Sequence, residues 1–260
     1  MRLLFRIVIA CFSLSQNVMR GEAISFTSKT EGKSYRKEET RLVEKLKSKL
    51  NEIGNTKQQY WIGIGGGPGS GKTTVAQALA DRLNAISEKD DTCIVIPMDG
   101  WHIPQAALTD TFGVDAMKRR GAPWTFDLEL CAKELQIAKE KGCGSLPIYS
   151  REISDPVPDK VILKNTHKIV LVEGLYLLWK EEYPDLFDLW DECWFVKCPT
   201  QEEQIERLVQ RSLKTWSEVK TKLWGVGEEG ARKRVEYNDV PNMDIVQHCQ
   251  QNADEIILTD

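Results

Sequence analysis

Residues 66–73 read Gly66-Gly67-Pro68-Gly69-Ser70-Gly71-Lys72-Thr73, and Thr74 follows directly. This is the pattern G-x-x-x-x-G-K-[ST], in which the N–H groups of a glycine-rich loop surround nucleotide phosphates. We predict that all nine residues contribute to a nucleotide site. Lys72 is expected to reach the β- and γ-phosphates, and the Thr73 hydroxyl is expected to bind Mg²⁺.

The segments on either side of this loop have the structure that the motif requires. Residues 60–64 form a short, mostly apolar run suited to a buried strand. Val75, Leu79 and Leu83 then recur at helical spacing. Because strand, glycine loop and helix follow in this order, a glycine-rich turn that binds nothing is the weaker interpretation.

Composition limits the class of protein. A chain of 260 residues fits one large α/β domain with an extension, or two small domains. The net charge of −4 gives no global basic field of the kind that nucleic acid attracts. The seven cysteines include no C-x-x-C pair and no zinc-ligand spacing, which indicates mostly buried thiols in a reducing compartment.

The first 34 residues are predicted to be a leader outside the fold. They carry Arg2, Arg6 and Arg20 but no acidic residue before Glu22, and the apolar run 3–14 is too short to span a bilayer. This favours a mitochondrial or plastid import signal. A secretory signal, or an untargeted start that would leave the protein cytoplasmic, are the alternatives.

Residues 35–57 are interpreted as an amphipathic helix over 36–53 and a connection, and residues 58–260 as the main domain. The helix is expected to pack on the edge of that domain. From residue 60 onward strands and helices alternate, which predicts an α/β fold with a doubly wound parallel sheet. Further strands are predicted at 92–97, 160–163, 168–172, 193–196 and 256–258, helices at 127–141, 201–216, 231–237 and 243–250, and a flexible joint at 225–230.

Two carboxylates follow predicted strands, at the edge where ligands bind in open α/β sheets. Asp99 lies just after the strand 92–97, and a carboxylate there can take a proton from a substrate hydroxyl. Glu173 ends the most apolar strand, where an acid serves Mg²⁺ directly or through water. Asp99 is also expected near this metal. The alternatives are a turn residue for Asp99 and a helix cap for Glu173.

Motifs that are missing exclude other nucleotide-binding classes. The sequence has no N-K-x-D pattern, which speaks against a translation-type GTPase. It also lacks an apolar run ending in Asp-Glu and a Leu-Ser-Gly-Gly signature, which weakens the case for a mechanical ATPase.

Taken in order, the motifs resemble a known group of enzymes. GGGPGSGKTT, PMDGWHIP, RRGAPWTFD, PIYSREISDPVPD, VLVEGLYLL and ARKRVEYNDVPN are similar to the P-loop kinases grouped with uridine kinase, phosphoribulokinase and bacterial pantothenate kinase. Within that group they are most similar to the Yfh7-like branch of ATP-dependent kinases. The resemblance covers about residues 58–260. It implies a P-loop NTPase kinase fold with a helical lid.

The same resemblance implies roles for single residues. Asp99 matches the catalytic carboxylate of the group, Lys72 and Thr73 its P-loop contacts, and Glu173 its second acid near Mg²⁺. Arg207 and Arg211 match arginines that a lid holds over the phosphates, and Arg211 is thereby expected to take part in catalysis. Tyr149 matches the aromatic residue of the substrate loop.

The substrate loop departs from uridine kinases, because Tyr149-Ser150-Arg151 replaces the residues that hold a base there. Arg151 suggests a carboxylate or sugar phosphate, since a guanidinium binds such groups through two hydrogen bonds. A salt bridge from Arg151 to Glu152 or Asp155 is the alternative. His102 is expected to bond a substrate hydroxyl or to brace Asp99. Two segments have alternative interpretations. Residues 119–120 are either a solvated pair or a pair that binds phosphate, and residues 124–126 either line the acceptor pocket or pack in the core.

These inferences predict an ATP- and Mg²⁺-dependent kinase that phosphorylates a hydroxyl of a small metabolite. A uridine or cytidine kinase is the nearest alternative. A nucleotide-binding regulator with weak ATPase activity is the alternative from another class. The expected partners are ATP and the acceptor, without nucleic acid or a transmembrane segment, and a homodimer is left open.

Overall fold

The computed structural model describes residues 31–259, apart from 55, 57 and 88–90. The predicted leader therefore lies outside the described residues except at its last four positions. Those four positions belong to the first helix, α1, which spans Glu31–Ile53 and begins earlier than the expected residue 36.

A parallel sheet of five strands forms the centre of the domain. Its members are β1 (Tyr60–Gly65), β2 (Cys93–Pro97), β5 (Ile169–Gly174), β6 (Glu192–Lys197) and β7 (Glu255–Leu258). Their order across the sheet is β2-β5-β1-β6-β7, so the chain crosses the sheet in both directions from β1. All six residues of β5 are buried, as expected for a strand covered on both faces. The prediction of a doubly wound α/β fold is confirmed.

Helices cover both faces of the sheet. The helices after α1 are α2 (Lys72–Ser87), α3 (Gln105–Phe112), α4 (Leu128–Lys141), α5 (Pro184–Phe187), α6 (Gln201–Leu213), α7 (Glu218–Trp224), α8 (Gly227–Arg234) and α9 (Val240–His248). One apolar layer joins α1 and α2 to the sheet through Leu42, Leu46, Leu79 and Trp194. The opposite layer includes Trp61, Leu135, Tyr176 and Phe195.

The predicted strand 160–163 has a different place from the one expected. It is the end of β4 (Asp155–Leu163), which pairs with β3 (Gly144–Ser150) as an antiparallel hairpin outside the main sheet. Only the last residue of β4, Leu163, is buried, and the other eight are half-buried or exposed. Residues 151–154 form the tip of this hairpin.

The expected flexible joint at 225–230 is much shorter than predicted. Helix α7 ends at Trp224 and α8 already begins at Gly227. Gly230 lies inside α8, and a Cβ atom there would come within 2.4 Å of the Gly225 carbonyl oxygen. The glycines of this segment therefore permit close packing of two helices. A π-helical turn, Val235–Asp239, then connects α8 to α9.

Helix α1 is fastened to the domain by apolar and ionic contacts. Leu42, Val43 and Leu46 are buried against the layer that holds α2. Arg41 pairs with Glu255 on β7 at 2.8 Å, and Lys45 pairs with Glu192 and Glu255.

In the part of the chain that the structure describes, no helix is both long and apolar enough to span a bilayer. Six cysteines are described, all with free thiols, and five of them are buried: Cys93, Cys131, Cys193, Cys198 and Cys249. Burial raises the pKa of these thiols, which makes them poor nucleophiles.

Candidate active site

The glycine loop is held from behind by two side chains from distant parts of the chain. Gln204 on α6 donates from Nε2 to the Pro68 carbonyl oxygen at 2.7 Å. Thr259, just after β7, donates from Oγ1 to the Ser70 carbonyl oxygen at 2.7 Å. Between them Gly69 has φ of +79°, a conformation that favours glycine. These two hydrogen bonds support the shape of the loop.

Thr73 and Glu173 meet at the ends of two neighbouring elements. Ile64 of β1 pairs with Glu173 of β5, so the glycine loop leaves β1 beside the carboxyl end of β5. The Thr73 hydroxyl donates to Glu173 Oε1 at 3.0 Å. Burial raises the pKa of Glu173, and the positive charge of Lys72 opposes that effect.

Asp99 occupies a three-residue-per-turn helical segment, Met98–Trp101, that continues from β2. Because Pro97 pairs with Glu173, this segment also starts at the carboxyl edge of β5. The Asp99 side chain is exposed to the cleft, and its backbone oxygen accepts a hydrogen bond from His102 Nδ1 at 2.8 Å. Burial lowers the pKa of His102, so the ring is neutral at neutral pH and its Nε2 can accept a hydrogen bond.

A cleft of about 880 Å³ opens between the glycine loop, the hairpin tip and helix α7. It brings together most of the predicted site residues: Pro68, Gly69, Lys72, Thr73, Asp99, His102, Tyr149, Arg151, Glu173 and Arg211. Among the predicted loop contacts, Gly66, Gly67, Ser70, Gly71 and Thr74 do not line it.

The cleft is basic although the whole chain is acidic. Its lining includes the basic residues Lys72, Lys118, Arg120, Arg151, Arg211, Lys220 and Arg234, and the acidic residues Asp99, Asp115, Glu173 and Asp239. With a net charge of −4 for the chain, this excess of cations in one concave surface favours anionic ligands such as nucleotide phosphates.

Helix α7 forms one side of the cleft. None of its residues is buried, and Val219, Lys220, Leu223 and Trp224 face the cleft. Val219 and Leu223 are large apolar side chains that remain exposed, at 66% and 53%. Such exposed apolar surface on a short helix is suited to closing over a bound ligand.

Arg207 contacts Thr259 and does not line the cleft. It donates from Nη1 to Thr259 Oγ1 and from Nη2 to the Thr259 carbonyl oxygen, both at 3.1 Å. Arg211, one helical turn later on α6, does line the cleft. Helical spacing puts both arginines on one face but does not say which of them reaches the site. That both arginines lie over the phosphates stays a prediction, and of the two Arg211 is the one that lines the cleft.

Arg234 supplies a cleft arginine that the sequence analysis did not identify. It ends α8 and lies 3.3 Å from Asp239 Oδ2, and both side chains line the cleft. Asp239 belongs to the π-helical turn, a feature that is frequent at functional sites. Burial raises the pKa of Asp239, while the charges of Arg234, Arg211 and Arg119 act to lower it.

The residues between α3 and α4 also differ from the expectations. Arg120 is not solvated: its side chain is 10% exposed, and its Nη2 lies 2.9 Å from Asp155 Oδ1. Asp155 therefore pairs with Arg120, and the alternative of an Arg151–Asp155 salt bridge is not observed. Phe126 lines the cleft, whereas Trp124 does not and instead contacts the ring of Phe112.

Comparison with protein families gives a match over most of the domain. The model of the family described as Phosphoribulokinase / Uridine kinase matches residues 61–210. A Schizosaccharomyces pombe protein named "Putative uridine kinase C227.14" is 32% identical over 221 residues, which cover 82% of this chain and 89% of that protein.

Solved structures give the same result for the fold. A structure described as a "putative fructose transport system kinase" from Silicibacter sp. TM1040 is similar with a TM-score of 0.68 and 25% identity, covering 83% of this chain and 98% of that one. The Saccharomyces cerevisiae protein YFH7, described as "a putative P-loop containing kinase with a circular permutation", has a TM-score of 0.67 at 20% identity over 85% of this chain and 98% of its own.

Proposed function

This chain belongs to the Phosphoribulokinase / Uridine kinase family and is a small-molecule kinase, and we propose that it transfers the γ-phosphoryl group of ATP to a hydroxyl of a small metabolite. The observation that carries this proposal is the convergence of Lys72, Asp99 and Glu173 in one basic cleft, with Asp99 exposed in it. Phosphoryl transfer is catalysed mainly by such positioning and charge stabilisation.

The glycine loop would hold the phosphates of ATP. Its N–H groups and the start of α2 offer partial positive charge to the phosphate oxygens, and Lys72 adds a full charge. Arg211 has no hydrogen bond or ion pair with any described residue, so its guanidinium is available for the transferred group. Fixed cations of this kind stabilise the charge that develops in the transition state.

The oxygen atoms of Thr73, Glu173 and Asp99 suit Mg²⁺, which prefers hard oxygen ligands and keeps several from phosphate and water. Across the described residues, no cluster of three or more His, Cys, Asp or Glu side chains could hold a metal ion by itself. A site with one or two carboxylates is what a nucleotide-bound Mg²⁺ requires. Bound there, the ion would neutralise charge on the phosphates.

Asp99 is proposed as the general base. Its carboxylate would accept the proton of the acceptor hydroxyl while that oxygen bonds to the γ-phosphorus and the bond to the leaving ADP oxygen breaks. His102 holds the backbone of Asp99 through the 2.8 Å hydrogen bond, and so limits the positions that the carboxylate can adopt.

Uridine or cytidine kinase activity is the second candidate, and the name of the S. pombe relative favours it. The hairpin sequence Tyr149-Ser150-Arg151 does not favour it, because it lacks the residues expected to hold a base. A regulator without turnover is less consistent with the retained Asp99, Glu173 and Arg211.

Import into a mitochondrion or plastid remains a proposal that rests on the Arg-bearing, acid-poor leader. A fluorescent protein fused after residue 34 would test it, since a diffuse cytosolic signal would contradict import.

The experiment that tests the activity is an ATP-coupled screen of small hydroxyl compounds with identification of the phosphorylated product. The proposal predicts a product whose formation needs both Mg²⁺ and Asp99. Failure of every acceptor, in an enzyme that still binds ATP, would favour the regulator. Efficient conversion of uridine or cytidine alone would favour the nucleoside kinase.

A further inference from the structure

One carboxylate in the cleft faces more than one guanidinium. Asp239 Oδ2 lies 3.3 Å from Arg234 Nη1, and the side chain of Asp239 is 10% exposed against 32% for Arg234. The charge of Arg211 also acts on Asp239. All three residues line the cleft that contains Lys72. We call Asp239, Arg234 and Arg211 the arginine cluster.

The π-helical turn is the feature that places Asp239 beside Arg234. The two residues are five positions apart, and an α-helix has 3.6 residues per turn, so positions five apart in it point to different sides. In the turn Val235–Asp239 the Val240 N–H instead bonds the Val235 carbonyl oxygen, five residues back. This longer repeat brings the side chain of Asp239 round to the side of Arg234.

The turn is anchored to the segment between α3 and α4. Arg119 donates from Nη1 to the carbonyl oxygens of Tyr237 and Asn238. Asn238 in return donates from Nδ2 to the Arg120 carbonyl oxygen at 3.0 Å. These three hydrogen bonds hold the backbone that carries Asp239.

Arg211 lies beside the glycine loop because α6 packs against that loop. A Cβ atom at Gly69 would come within 2.8 Å of Leu208 Cγ, so the two residues are in close contact. Arg211 follows Leu208 by three positions and lies on the same face of α6. The charges of Arg234 and Asp99 both act on Arg211. The arginine cluster is therefore near both the phosphate-binding loop and the proposed base.

Arg234 has hydrogen-bonding capacity left for a ligand. Its bond to Asp239 is the only hydrogen bond or ion pair that it makes with a described residue, and a guanidinium carries five N–H donors. Its side chain is about one third exposed and lines the cleft, so a ligand in the cleft can reach it. Since one carboxylate faces two guanidiniums, the arginine cluster keeps an excess of positive charge.

On the basis of the proposed function, we propose that Arg234 binds the terminal phosphate of ATP together with Arg211, and that Asp239 is the positioning residue that holds Arg234 there. A guanidinium and a phosphate form two charge-assisted hydrogen bonds. Because Asp239 already restrains Arg234, this side chain loses less conformational entropy when the phosphate binds. ADP lacks the terminal phosphate and is bound without Arg234.

The test measures the binding of ATP and of ADP to the full chain by calorimetry, with Mg²⁺ and without an acceptor. The variants are Arg234→Ala, Asp239→Asn and the two combined. Arg232→Ala is the matched control, since it removes another arginine of α8 that pairs with carboxylates, those of Glu206 and Glu228, but does not line the cleft.

Arg234→Ala is expected to raise the Kd of ATP about 10-fold or more and to leave the Kd of ADP nearly unchanged. Arg234→Lys should recover part of the affinity, because it restores the charge without the two-donor geometry. Arg232→Ala should bind both nucleotides like the wild type.

The sign of the effect of Asp239→Asn separates positioning from simple repulsion. A carboxylate that only repelled the phosphate would, on removal, tighten ATP binding. A carboxylate that positions Arg234 should, on removal, weaken it, and Asp239→Asn should cause no further loss once Arg234 is Ala. If Asp239→Asn does not fold, Asp239→Glu replaces it, since it moves the carboxylate by one methylene group and should also weaken ATP binding.

The two proposals can fail separately. If the wild type does not bind ATP, the proposed function itself fails. If the wild type binds ATP, the role of Arg234 is overturned when Arg234→Ala binds ATP equally well or loses ATP and ADP to the same extent. The role of Asp239 is overturned when Asp239→Asn tightens ATP binding, leaves it unchanged, or adds its full loss to that of Arg234→Ala.

Discussion

The Thr73 hydroxyl lies 3.0 Å from Glu173 Oε1, and this hydrogen bond joins the first turn of α2 to the carboxyl end of β5. The two residues are 100 positions apart in the chain, and the parallel pairing of β1 with β5 brings them together. Two oxygen atoms suited to Mg²⁺ are therefore already adjacent in the protein alone.

Thr73→Ala and Glu173→Gln are each expected to raise the Mg²⁺ concentration needed for half-maximal activity, because each removes one of these oxygens or its charge. A Mg²⁺ titration of turnover at saturating ATP measures the effect. Glu140→Gln, an exposed residue on α4, is the control and should behave like the wild type. Unchanged titrations for both site variants would contradict this metal position.

As the pH is lowered, activity should begin to fall at a higher pH than it would with a glutamate of ordinary pKa. Burial raises the pKa of Glu173, so on lowering the pH its carboxylate takes up a proton sooner and loses the charge that attracts Mg²⁺. The kcat/KM for ATP at limiting Mg²⁺ should fall over this pH range, and added Mg²⁺ should restore it. If the Glu173→Gln variant shows the same loss of activity at low pH, another group is responsible for it.

Asp99→Asn is expected to lower kcat by roughly 10²–10⁴-fold while the KM of ATP changes little, since a general base acts on the acceptor. Steady-state kinetics with the best acceptor measures both constants. Asp110→Asn, on the exposed surface of α3, makes the same chemical change outside the cleft and should leave both constants unaltered. If kcat of the Asp99→Asn variant is close to that of the wild type, Asp99 is a turn residue and not the general base.

Arg207 and Arg211 should give different defects although they lie one turn apart on α6. Arg211→Ala is expected to lower kcat at least 10-fold with an unchanged melting temperature, because a transition-state charge is lost. Arg207→Ala should instead raise the KM of ATP and lower the melting temperature, because Thr259 loses its two hydrogen bonds. Identical kinetic defects in the two variants would contradict this separation.

A chain that begins at Glu31 is expected to unfold at the same temperature as the full chain and to keep its turnover. Leu46→Ala should lower the free energy of unfolding by about 2–5 kcal/mol, because it leaves a cavity between α1 and α2. Thermal and denaturant unfolding measure both. A large loss of stability on removing residues 1–30 would show that the leader belongs to the fold.

The sequence predicted well the features that local patterns determine. The glycine loop specified β1 and the start of α2, and the apolar runs before Glu173 and Asp99 indicated that both acids end strands at the same edge. The Arg120–Asp155 pair left no such signal, because its members are 35 positions apart and meet only when the hairpin folds back over α3. The π-helical turn around Asp239 escaped prediction because no composition marks the change from an α-helix.

The bond from Thr259 to the Ser70 carbonyl oxygen spans 189 positions of the chain, and it has a consequence for synthesis. A ribosome adds about 5–20 residues each second, so the glycine loop emerges roughly ten seconds or more before the residue that braces it. During that interval the loop lacks its final support. The nascent chain is therefore expected to acquire tight nucleotide binding late, after β7 has joined the sheet.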